Sequence, residues 1–186
     1  MATVEESVRT LETLCHCANS LSLKTEGRPT SNWQLVEGSI IFARTCLTCI
    51  SLLRLIPISS FYRPVENLDA WDLPSVASLV RNIIETYHVF FYVVENVSDS
   101  EREAREALWR FHETAERLNM LQLAVPSSGG IEQLKKEYSK RKARLEASPL
   151  FQSLSRKQRT NLLNARDSKF STKSEIADRA GVSRRY

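Results

Sequence analysis

The chain has 186 residues, 42% hydrophobic and 26% charged, with five Gly and six Pro. That composition excludes disordered, collagen-like and low-complexity classes and predicts one compact fold. The formal net charge of +4 hides an asymmetry: residues 1–130 carry 11 Lys+Arg against 16 Asp+Glu, and residues 131–186 carry 15 against 6.

Val4, Val8, Leu11, Leu14, Ala18 and Leu21 recur at three- and four-residue steps, which predicts an amphipathic helix ended by the run from Lys24 to Pro29. A second helix is expected from a cap at Ser31 or Asn32 to Ile56, before Pro57. Its stretch from Ile40 to Ile58 is the most apolar in the chain, but Arg44 and Arg54 interrupt it, and Glu37, Arg44, Thr48 and Ser51 form a polar stripe. A buried core helix is therefore expected in preference to a membrane span. The segment from Pro57 to Asp72 carries Phe61, Tyr62, Pro64 and Trp71 and is expected to pack over the core.

Asp72 and Pro74 mark the start of a third helix running to about Val97, apolar on most sides and so expected to be central. Its end, Val89 to Val94, also suits a buried strand, but no second strand-like run exists to pair with it. Ser98 to Glu101 reads as a capping box opening a fourth helix, and Pro126 to Gly130 as a break. Ile131 to Ala147 is a basic helix with a thin apolar seam of Ile131, Leu134, Tyr138 and Leu145. After Ser148-Pro149 come a short helix around Ser155 to Ala165 and another capped by Thr172 to Glu175 that stops at Gly181. The expected architecture is all-α: an up-and-down bundle of four core helices over residues 1–130, then a basic helical extension over residues 131–186.

Arg81, Glu85 and His88 share one face of the third helix at steps of four and three. In an apolar helix such groups need partners or a task, because an uncompensated buried charge costs several kcal/mol. Glu37 and Arg44 are the natural partners if the second and third helices pack together. An Arg followed by a polar residue, and then by His after four to six intervening residues, resembles the signature of the HEPN superfamily; Arg81-Asn82 to His88 fits with six. That resemblance implies a compact all-α protein, in many members a metal-independent ribonuclease of toxin, defence or RNA-processing systems. It further implies that Arg81 steadies the scissile phosphate, His88 acts as general acid or base and Asn82 orients them, usually across a homodimer. The run Arg81, Ile84, Glu85, Phe90 and Tyr92 also resembles an uncharacterised bacterial helical family with an Arg and a Glu four apart on its central helix. The competing reading makes Arg81, Glu85 and Glu37 a buried salt-bridge network and His88 a satisfied core histidine.

Two metal readings stand beside these. Glu85-x-x-His88 with Glu37 and His112 or Glu116 resembles half of a di-iron bundle, but the second Glu-x-x-His is missing. Cys15, Cys17, Cys46 and Cys49 number enough for zinc, yet both pairs lie mid-helix, so buried thiols are expected and no metal or cofactor is assigned. The low cysteine count and the lack of a secretory leader pattern make a reducing cytoplasm the expected compartment.

The stretch from Thr172 to Tyr186 resembles the first helix and turn of a repressor-type helix-turn-helix, with the recognition helix starting near Ser183. Either the chain is a fragment of a longer protein, or the turn is a helical hairpin; the hairpin is the preferred expectation. Lys135, Lys136, Lys140, Arg141, Lys142 and Arg144, with Arg156, Lys157 and Arg159 beyond them, suit phosphate-backbone contact with RNA. They suit equally a helix face docked on the acidic first 130 residues. Two functions follow as expectations: a HEPN-like protein acting on RNA, or a non-catalytic helical interaction module, dimeric through its second and third helices. Neither calls for a membrane or a small-molecule cofactor.

Overall fold

The computed structural model describes residues 3–62, 72–124, 130–164 and 169–181. Among them the protein is an all-α helical bundle: α1 (Val4–Thr25), α2 (Trp33–Leu53), α3 (Leu73–Val94), α4 (Asp99–Ala124), α5 (Gly130–Glu146), α6 (Pro149–Gln152), α7 (Arg156–Leu163) and α8 (Lys173–Arg179). Residues 89–94 are helical and complete α3, so the strand alternative falls.

Local chemistry sets the helix starts. Thr3 and Glu6 form a reciprocal capping box on α1, and the Asn32 side chain accepts from Gln34 N to start α2. Asp72 accepts from Ser75 N with Pro74 in the first turn of α3, Ser98 Oγ accepts from Glu101 N before α4, and Ser155 with Gln158 boxes α7. Thr172 and Glu175 exchange the same bonds before α8. Each cap satisfies amide donors that the first helical turn leaves without an internal partner. Gly27 (φ +72°) and Gly181 (φ +68°) take the left-handed conformation just past α1 and α8, which a Cβ would strain.

The end of α2 departs from expectation. The helix stops at Leu53 and not at Ile56, because the amides of Leu55 and Ile56 bond the carbonyls of Leu52 and Leu53, tightening the chain into turns ahead of Pro57.

Packing divides the chain into two compact units, residues 1–95 with 179–186 and residues 96–178. The division falls after Glu95, whereas the change in charge falls at Gly130, so α4 packs with the basic helices. In the first unit Val8 and Cys15 of α1 meet Cys49, Leu52 and Leu53 of α2 and Ile56, with Val76, Leu79 and Ile83 of α3 and Phe61 packed around them. The expected packing of the segment after α2 thus holds for Phe61; Pro64 and Trp71 lie outside the described residues. Leu53 is fully buried, and truncating such a leucine to alanine costs about 2–5 kcal/mol.

The expectation that α3 is the central helix needs correction, and the burial expected of α2 is partial. It is α2 that packs against both α1 and α3, and it still leaves Leu35, Ile40 and Leu47 exposed. On α3 only Tyr92 and Val93 are buried. Three described helices do not supply enough surface to cover two strongly apolar ones on every side. Among the described residues α2 is the one helix long and apolar enough, by length and composition, to cross a membrane.

In the second unit Ala107, Leu108 and Phe111 of α4 pack on Leu145 of α5, Phe151 of α6 and Leu162 of α7. The Phe111 and Tyr138 rings stand 5.2 Å apart. On α4, Ala107 and Leu108 precede Phe111 by four and three residues, so the three side chains share one face of the helix.

Candidate functional site

Of the residues singled out on α3, Arg81 and Asn82 are exposed, and Glu85 and His88 are half-buried. The Arg81 side chain is 80% exposed, and its Nε stands 3.4 Å from Glu85 Oε1. Asn82 is exposed, and its carbonyl accepts from Thr86 Oγ1 at 2.7 Å. His88 is half-buried, and its Nε2 is buried with no hydrogen-bond partner. The expected buried network is therefore not what α3 builds: Arg81 and Glu85 make a surface pair of the i,i+4 kind, which contributes a few tenths of a kcal/mol. On α2, Glu37 is half-buried and Arg44 exposed, with the Arg44 carbonyl accepting from Thr48.

Open pockets form elsewhere. One is lined by His16, Arg54, Ser60 and Phe61, a second by α5 to α7 residues including Glu146, Arg156 and Arg159, and a third by residues including Leu154, Gln158 and Phe170. Arg81, Asn82 and His88 line none of these three. Beside the first, Glu12 of α1 accepts hydrogen bonds from Ser59 Oγ (2.7 Å), Ser60 N (2.6 Å) and Ser60 Oγ (3.0 Å), tying the segment after α2 to α1. The Ser59 bond, with those from Ser60, holds the Glu12 carboxyl below its usual range. Nothing in the spacing of the sequence announced this tie.

The basic helix resolves toward protein. Lys135 pairs with Glu132 at 2.7 Å, and Lys142 stands 3.9 Å from Glu146. Arg141 pairs with Glu137, reaches Glu113 of α4 at 3.5 Å, and donates to the Arg110 carbonyl at 2.9 Å. Arg144 stands 3.9 Å from Glu106 of α4. Much of the positive charge of α5 thus meets carboxylates of α4 and of α5 itself, while Lys136 and Lys140 stay exposed, as do Arg156, Lys157 and Arg159.

The titratable groups most changed by their surroundings are buried. Burial lowers the His112 imidazole below its ordinary 6.5, against the opposing effects of the Glu116 carboxylate and a hydrogen bond to the Leu162 backbone. Burial, with Cys49 and Cys46 nearby, pushes the Cys15 thiol up to about 11, and burial also raises Cys46 and Cys49. Protonated thiols are poor metal ligands. Among the described residues no three His, Cys, Asp or Glu side chains come together as a metal site, so neither the di-iron-like set nor the cysteine set is assembled. Sequence reasoning also missed Arg105, whose fully buried side chain bonds Glu101 from Nε at 3.0 Å and Nη2 at 2.5 Å.

These features define a class, an all-α protein with a charged pair and uncovered apolar residues on one long helix. Compared with protein-family models, curated proteins and solved structures, the chain matches none.

Proposed function

We propose that this protein is a cytoplasmic helical interaction module that works as a homodimer. The observation that carries the reading is the apolar surface of α2 and α3: Leu35, Ile40, Leu47, Leu73, Val80 and Tyr87 are all at least 40% exposed. Single exposed apolar residues are ordinary, but six on two helices that pack together support a surface that associates. Size-exclusion chromatography with light scattering tests this reading. A mass of twice 21.3 kDa supports it, and a monomer at every concentration overturns it.

A second reading, a metal-independent ribonuclease or RNA-binding protein of a bacterial defence or toxin type, is favoured by one observation. Arg81 and Asn82 are open to solvent and not sealed in a core. In that reading Arg81 binds a phosphate by its guanidinium fork, His88 moves the proton and Asn82 orients them, while Lys136, Lys140 and the cations of α7 guide the polyanion. Labelled RNA incubated with wild type and with His88→Ala decides it: cleavage lost in the variant supports the enzyme, and no cleavage by wild type removes it.

A further inference from the structure

The uncovered face of α3 has a repeat of its own. Leu73, Val80, Tyr87 and Val94 stand seven residues apart and are 61%, 40%, 41% and 38% exposed. Between them, at alternating steps of four and three, fall Ala77, which is exposed, and Ile84 and Phe91, which are half-buried. This is the heptad spacing of a two-helix seam. On the neighbouring face of α3, Val76, Leu79 and Ile83 pack on the core of its own unit, and Val94, the last residue of the repeat, also lies against Gly38 of α2, its Cγ1 2.9 Å from where a Cβ on that glycine would stand.

We infer that a second copy of this chain docks on this face, with the two α3 helices pairing antiparallel about Ile84. The inference rests on the self-association proposed above and adds its surface and its register. The seam is self-complementary, as a two-fold contact requires. With Ile84 against its own counterpart, Val80 meets Tyr87, Ala77 meets Phe91 and Leu73 meets Val94 of the other copy. Each of these outer layers sets a smaller side chain against a larger one, which lets them interdigitate. The charges match too. Arg81 follows Val80, and in this register it lies within about 3 Å, along the axis, of Glu85 in the other copy, at ~1.5 Å of rise per residue. The two-fold axis makes that pair twice, so the Arg81–Glu85 couple already present on each helix becomes a four-charge cluster beside the apolar seam.

Engineered cysteines in the full chain test the register, in a Cys17→Ser background because Cys17 is the exposed native thiol. A disulfide needs Cα atoms about 4.4–6.8 Å apart. In the antiparallel register two copies of residue 80 are separated by about 12 Å along the axis. Under copper-phenanthroline oxidation Ile84→Cys is expected to form a covalent dimer. Val80→Cys and Tyr87→Cys are expected not to link alone but to link when mixed. Self-linking by Val80→Cys and by Tyr87→Cys would mean a parallel pair and would overturn the register. A wild-type dimer in which none of these links would overturn the surface while leaving self-association standing. A monomer, whether free in solution or bound to anionic vesicles, overturns both. Unchanged helical circular dichroism and melting temperature establish that each variant is folded.

Discussion

The Arg81 guanidinium lies 3.4 Å from the Glu85 carboxylate, one helical turn along α3, with most of the Arg81 side chain in solvent. A pair so placed is weakly held, because water screens it and two long side chains lose freedom to make it. Arg81→Ala should therefore change stability by about 1 kcal/mol or less, as read from urea unfolding. A loss of several kcal/mol would mean that Arg81 is buried in solution.

The contrasting arginine is Arg105, whose side chain is fully enclosed while it bonds Glu101. Arg105→Ala removes the enclosed partner of the half-exposed Glu101 and leaves a large void, and should cost about 2–5 kcal/mol. The same urea titration separates the two arginines, and equal effects would contradict the burial difference.

His112 makes the second unit sensitive to acid. Its folded-state pKa is depressed, so the unfolded chain binds the proton more readily, and stability is lost as pH falls below the ordinary 6.5 and through the lowered folded value. His112→Gln should flatten the dependence of unfolding free energy on pH in that window. A slope identical to that of wild type would show that His112 is not buried as a neutral imidazole.

The thiols should divide sharply. At pH 8 a thiol raised from 9.0 to about 11, as Cys15 is, holds about 100-fold less thiolate. A thiol-specific chromogenic disulfide should modify exposed Cys17 first, and Cys15 and Cys49 only after unfolding. Rapid modification of all four in the folded protein would contradict the packing of α1 on α2.

The helices and their starts were legible in the sequence because capping chemistry is local: Asp72 with Pro74, Ser98 with Glu101, Thr172 with Glu175 and the stop at Gly181 each act within one turn. What covers each helix was not legible. The apolar content of α3 resembled that of a buried helix, yet its uncovered residues fall in a heptad of their own, and only packing shows which face a neighbour takes. Nor does the sequence distinguish Arg105 from Arg102 and Arg110 on α4, since enclosure comes from elements distant in the chain. The partners of the basic helix were open for the same reason: Arg141 meets Glu113, 28 positions away, only once α5 lies along α4. For the candidate site, the Arg81–Glu85 spacing was readable, and the solvent on its far side was not.

Sedimentation equilibrium of wild type beside Val80→Asp tests the central claim, self-association through α3, most directly. The substitution places a charge at an exposed position of the seam, where it harms the paired state and spares the separate chain. The account predicts a wild-type mass of twice 21.3 kDa that falls to the single-chain value in the folded variant. A dimer unchanged by Val80→Asp, or a wild type that stays at the single-chain mass at every concentration, would contradict it.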